Sequence, residues 1–281
     1  MKFHRLWVHW LLFLGSALGL ILVKRAMLPM WASCALLVGL SVLLVNAGLP
    51  LARYCVRNVT VTQNSASQAA VFAMIGTVFA TLVAFAVVVV WENYADAEST
   101  VAQEANALAD LERMSRGFAV PVRRQVQEAS RTYATIVIGD EWDAMTTAGP
   151  DPRAHAALTE LWTVYTDMGP DGKASPLYQP SIERMNALGD NRRLRLLAAR
   201  SEVPTVVWLM LYCGGVLSVV MVYFFGVRRD WVQRLVVSVL ATVVALSVFL
   251  VASLEKPFGG DAGIGPDAFE SVVASMQNLE M

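Results

Sequence analysis

The chain has 281 residues, 56% of them hydrophobic and only 16% charged, with a formal net charge of -1. A soluble domain carries about 45–50% apolar and about 25% charged residues, so this composition describes a membrane protein. A near-neutral chain also lacks the basic face that a nucleic-acid partner requires.

Five stretches are long and apolar enough to cross a hydrocarbon core: Leu6 to Val23, Leu28 to Leu49, Gln68 to Trp91, Val203 to Val227 and Leu235 to Leu254. Each approaches or exceeds the roughly 20 helical residues that span about 30 Å. Lys2 and Arg5 precede the first stretch as they would in a signal peptide, but no small-x-small cleavage site follows, so it is read as a span. Only Lys24-Arg25-Ala26-Met27 separates it from the second, and Pro29 suits a first helical turn, which predicts a tight antiparallel hairpin.

The third stretch ends in "VVVVWENYADAEST", a greasy run passing into an acidic one with no Gly or Pro between. Nothing there breaks a helix. Trp91 reads as an interfacial belt residue, and one helix is expected to leave the membrane there and run on to about Ala109.

The residues from Glu92 to Glu202 hold 17 of the 23 acids and 12 of the 22 Lys and Arg residues, so this segment faces water. Apolar positions recur at helical spacing at Val101, Ala105, Leu108 and Leu111, then Val122, Val126, Ala129 and Tyr133, then Leu158, Leu161, Trp162 and Tyr165. Breakers at Gly117 to Pro121, Gly149-Pro150 and Gly169 to Pro176 divide it into three or four amphipathic helices with no sheet. The predicted fold class is all-α, an integral membrane protein with about five spans and an inserted extramembrane helical domain. Its parts are residues 1–67 (hairpin and basic loop), 68–91 (third span), 92–202 (helical domain), 203–254 (second hairpin) and 255–281 (tail).

Sidedness follows from Lys and Arg near the span ends. Arg53, Arg57, Arg228, Arg229 and Arg234 gather on one side against only Asp230, while the stretch after Trp91 is acidic until Arg113. Arg192, Arg193, Arg195 and Arg200 weigh the other way. The balance predicts a cytoplasmic N-terminus, with the helical domain and C-terminus extracytoplasmic.

Chemical motifs are sparse. Cys34, Cys55 and Cys213 lie far apart in or beside apolar segments, which suggests neither a disulfide framework nor a zinc site. His4 and His9 fall on different helical faces, unlike the i, i+4 pair of a zinc helix, and His155 has no second ligand beside it. No phosphate loop, nucleophile elbow or metal-ligand spacing occurs, so neither an enzyme nor a cofactor is expected. Asp140, Glu141 and Asp143 around Trp142 read as a solvated acidic surface.

Polarity inside the third span is the better clue, because it is costly in lipid. At about 100° per residue, Phe72, Gly76, Phe79, Val83 and Val90 share one face, and Thr77, Thr81 and Val88 the opposite one. Such hydroxyls either bond back to their own helix or serve something beyond it. Cys213-Gly214-Gly215 with Ser218 reads as close helix packing.

The stretches "GTVFATLVAFAVVVVWENYADAESTVAQEANALADLER", "RRLRLLAARSEVPTVVWLMLYCGG" and "LVASLEKPFGGDAGIGPDAFE" resemble the bestrophin-like domain family of bacterial membrane proteins, from about Leu28 to the C-terminus. Trp91-Glu92-Asn93-Tyr94 and Pro257-Phe258-Gly259-Gly260-Asp261 are more distantly similar to segments of bestrophins proper, which are pentameric anion channels. Carried over without gaps, the resemblance puts the pore neck on Ala73, Thr77 and Thr81, with Val88 further along the same stripe. It implies a homo-oligomer, a pentamer if the likeness is complete, that conducts small ions, anions by analogy. Arg113, Arg116, Arg123 and Arg124 are then candidates for a positive vestibule.

The chain departs from that pattern in three ways. Ala and Thr replace bulky neck residues, which makes a wider and wetter constriction. The acids of the animal calcium clasp are thinned to Asp261, Asp267 and Glu270, so calcium activation is not implied. Bestrophins keep their helical domain in the cytoplasm, whereas the basic loops here place it outside. The rival expectation is a non-conducting scaffold or envelope sensor that binds a partner through its extramembrane helices.

Overall fold

The structure is a computed structural model, and it describes residues 29–56, 65–145, 149–224, 229–260 and 262–278. The expected first span, Leu6 to Val23, lies outside the described residues. All regular structure among the described residues is helical. In chain order the long helices are α1 (Met30–Val56), α2 (Ser65–Ser115), α3 (Val120–Ile136), α5 (Pro152–Thr166), α7 (Tyr178–Ala198), α8 (Thr205–Phe224), α9 (Asp230–Leu254) and α10 (Asp267–Asn278). A π-helical turn, Val137–Glu141, joins α3 to the short α4 (Trp142–Met145), and α6 (Pro170–Lys173) is another single turn. Four described helices, α1, α2, α8 and α9, are long and apolar enough to cross a membrane. The chain is an all-α integral membrane protein.

The helices divide into two compact units. The first comprises residues up to Trp91 together with Val203–Glu255. There α9 packs chiefly on α1 and then on α8, around Val45, Leu49, Val219, Val222, Val237 and Ala241. Lipid tails are as apolar as Leu, so close packing and hydrogen bonds hold such a bundle rather than escape from water. The Asn46 amide donates to Ser238 Oγ at 2.8 Å and to the Val42 carbonyl at 2.9 Å. The Tyr223 hydroxyl donates to the Val45 carbonyl at 2.6 Å, over Gly48, where a Cβ would lie 3.1 Å from that hydroxyl. The Cys213-Gly214-Gly215 patch does what its composition suggests: a Cβ on Gly214 would overlap the Phe79 ring of α2, and one on Gly215 would reach Val244 of α9 at 2.7 Å.

The second unit comprises Glu92–Glu202 with Lys256–Met281. Its core contains Leu108, Leu111, Val126, Tyr133, Leu161, Tyr165, Met185, Leu188 and Phe269. Burying such a side chain from water contributes about 1.5–3 kcal/mol. Val101, Ala105, Leu108 and Leu111 are buried as their spacing requires, and α2 runs past the expected end near Ala109 to Ser115. Asp151 caps α5 by accepting from the Arg153 backbone N–H at 2.7 Å. The carboxyl of Asp151 is held below its usual range by hydrogen bonds from the Arg153 side chain and backbone. The C-terminal segment supplies Phe258, Phe269, Val272 and Met276 to the same core.

Candidate functional site

Helix α2 has one face covered by its own chain and one left open. Phe79, Ala86 and Val90 are buried, whereas Ala73, Thr77, Thr81 and Val88 are exposed, Val88 by 51%. The buried positions follow the 3.6-residue period, and the exposed remainder also carries Met74, Val78, Leu82, Phe85 and Val89 beside the small and hydroxylated residues. The Thr77 hydroxyl donates to the Ala73 carbonyl at 2.8 Å and the Thr81 hydroxyl to the Thr77 carbonyl at 2.9 Å. Each hydroxyl hydrogen is thus engaged on its own helix. The oxygen's lone pairs and the methyl group remain for whatever covers the face.

Within the first unit an apolar cleft opens between α1, α8 and α9, lined by Leu37, Ser41, Tyr212, Gly215, Val244 and Val248 among others. A wall of that composition suits an acyl chain or a side chain and not an ion, which needs polar groups to replace its hydration.

The four candidate vestibule arginines have different surroundings. Arg113 pairs with Asp110 at 3.0 Å and Arg116 with Glu112 at 3.2 Å, both within α2's last turns. Across the Gly117 to Pro121 break, on α3, Arg123 is half-buried and Arg124 exposed, and neither closes an ion pair with a described residue. Asp267 and Glu270 stand in the first turn of α10, and Asp261 lies outside the described residues.

The acidic group around Trp142 is not the solvated surface expected. Glu141 is fully buried. In the α-helical register of Val126, Tyr133 and Val137, Asp140 and Glu141 would flank the buried face at similar angles. The π-turn falls on these two residues, and only Glu141 goes inward. Asp140 is left outside, 3.0 Å from Arg153, while Glu141 bonds Arg195 at 2.7 Å and Arg192 at 2.5 Å.

Arg195, itself fully buried, also reaches Glu104 at 2.7 Å, and the Tyr133 hydroxyl donates to Glu104 at 2.6 Å. The Trp142 ring lies 5.5 Å and the Phe269 ring 6.0 Å from the guanidinium carbon. Burial opposes the charge on Arg195, and the attraction and hydrogen bonding of Glu104 more than restore it, so its pKa is raised. Tyr133 is held neutral, its pKa raised by burial and by the charge of Glu104. Two carboxylates and two guanidiniums balance, which makes this cluster a structural clasp for the second unit. Arginine density near 192–195 was the only signal of it in the sequence, and it gave no partner.

An all-α membrane bundle of long apolar helices with a separate helical unit is the class of protein this architecture defines. The chain belongs to the Bestrophin-like domain family, whose sequence model matches residues 39–269. Three similar solved structures are variants of a bacterial bestrophin homologue from Klebsiella pneumoniae. Each is 14% identical to this chain, with TM-scores of 0.65, 0.64 and 0.65, covering 86%, 85% and 86% of this chain and 98%, 99% and 96% of theirs. At that identity the likeness establishes a shared fold. No curated protein matches the sequence.

Proposed function

We propose that the chain assembles as a homo-oligomeric membrane channel that conducts small ions through a pore lined by the Ala73, Thr77, Thr81 and Val88 face of α2. Family membership supports the class of activity, and the resemblance to bestrophins favours a pentamer and anions. The observation that carries the reading is the exposure of all four residues while Phe79, Ala86 and Val90 of the same helix are buried. A stripe of hydroxyl oxygens is a weak ligand singly, but repeated around an axis it replaces part of an ion's hydration shell. Arg113, Arg116, Arg123 and Arg124 are the corresponding vestibule candidates. The bacterial inner membrane is its proposed location.

The test is conductance of the purified chain in a planar bilayer. Ohmic or gated currents are expected, and Thr81→Trp should reduce unitary conductance several-fold by filling the constriction. Silence from a folded oligomer, or currents indifferent to Thr81→Trp, would remove the pore reading in favour of a non-conducting scaffold. The engagement of both hydroxyl hydrogens within α2 is the observation that favours that second reading, since it suits a packing seam.

A further inference from the structure

We infer that the apolar cleft of the first unit is the seat of the chain's own N-terminal segment, Leu6 to Val23, which docks there as a further membrane helix of the bundle. Three of the four described helices long enough to cross a membrane line the cleft, α1 with Leu37 and Ser41, α8 with Tyr212 and Gly215, and α9 with Ala241 and Ala245. It is closed at one end, where the Tyr223 hydroxyl of α8 donates to the Val45 carbonyl of α1 at 2.6 Å. From there it runs along α1 past Ser41 to Leu37, towards the start of that helix at Met30.

The length of chain before α1 names the occupant. Residues 1–28 precede the described residues and contain the apolar run Leu6 to Val23, about 27 Å as a helix. Only Lys24-Arg25-Ala26-Met27 joins that run to Leu28-Pro29 and α1. So short a connection allows an antiparallel neighbour and little else. The matched family model starts at residue 39, so the segment is additional to the matched region. Antiparallel pairing about the connection sets Trp7 level with Val45, and Trp10 and Leu14 on either side of Ser41. Trp7, Trp10 and Leu14 recur at the spacing of one helical face. Large side chains on that face meet Ser41, Gly215, Ala241 and Ala245, and large against small is how helices approach closely in lipid. A phospholipid tail is the rival occupant, since the same wall suits it. A tail has no fixed register against α1, whereas a tethered helix does.

The experiment uses the full chain in native membranes, with Cys34, Cys55 and Cys213 replaced by alanine. Two thiols are introduced and joined by a short bifunctional thiol reagent, gels report whether the product is one chain or two, and mass spectrometry identifies the linked peptides. Trp10→Cys with Ser41→Cys and Leu14→Cys with Ser41→Cys are expected to link within one chain. Trp10→Cys with Leu43→Cys is the control. Leu43 stands at similar depth but about 200° round α1 from Ser41, and is 69% exposed, so it should link poorly. Linking to Leu43→Cys in preference to Ser41→Cys would overturn the inference by putting the segment on the outer face of α1. Linked dimers would give the cleft to a second copy's segment. No linking of either Ser41→Cys pair, in chains that elute as the wild-type oligomer, would leave the cleft to a lipid tail. Should Ser41→Cys disturb assembly, Leu14→Cys with Val216→Cys puts the same question to the α8 wall.

Discussion

A guanidinium with no access to water must be matched by charge and by hydrogen bonds, and Arg195 is matched by both Glu104 and Glu141. Such a pair adds little over a well-packed apolar replacement, but breaking it from one side strands a buried charge. Arg195→Met leaves Glu104 and Glu141 facing Arg192 alone, with one carboxylate uncompensated. The expected loss is about 3–5 kcal/mol, seen as a lowered melting temperature of the detergent-solubilised oligomer. Adding Glu104→Gln restores neutrality around the remaining Glu141 and Arg192 pair and should recover more than half of that loss. Arg113→Ala, which removes a partner that is 73% exposed, should stay within about 0.5 kcal/mol of wild type. If Arg195→Met melted with the wild type, the clasp would hold nothing together.

At the scale of the helix, α2 and α8 meet where Phe79 lies over Gly214. Replacing Gly by Ala within a helix ordinarily stabilises it by about 1 kcal/mol. Here the added methyl overlaps an aromatic ring, and overpacking of that kind costs about 1–3 kcal/mol, so Gly214→Ala should lower the melting temperature. Phe79→Leu in the same chain should relieve part of it, and additive effects of the two changes would show that the contact is not the cause. Close packing at this patch was legible in advance, because a Gly-Gly pair in an apolar run has few other uses, but its partner Phe79 was not. Glu141 was not legible. An acid between Asp140 and Asp143 reads as solvated surface, and nothing local names Arg192 and Arg195 as its partners. Nor does any local pattern pair residue 104 with residue 195, since their meeting depends on how α2, α7 and the π-turn pack together.

At the scale of the whole chain, apolar length and helical spacing suffice for the class, because a span needs only a run of the right length and a buried helix face only a period. Four of the five expected spans lie in apolar helices, and the third expected span runs on past Trp91 to Ser115; the first expected span falls outside the described residues. Sidedness is a separate matter, set by a competition of charges at the span ends. In that competition Arg192 and Arg195, which weigh towards a cytoplasmic helical domain, are neutralised in the fold by Glu141 and Glu104. Arg229 and Arg234 belong to the connection between α8 and α9 and to the first turns of α9, with Asp230 as the acid between them. The local charge therefore favours that connection as cytoplasmic and the helical domain as extracytoplasmic. Cysteines introduced at exposed Asp171 and Arg229, in a chain lacking its native cysteines, should separate the two arrangements in intact cells. A membrane-impermeant maleimide is expected to label Asp171→Cys before lysis and Arg229→Cys only after it. The opposite order would place the helical domain in the cytoplasm and overturn the sidedness drawn from the charges at the span ends.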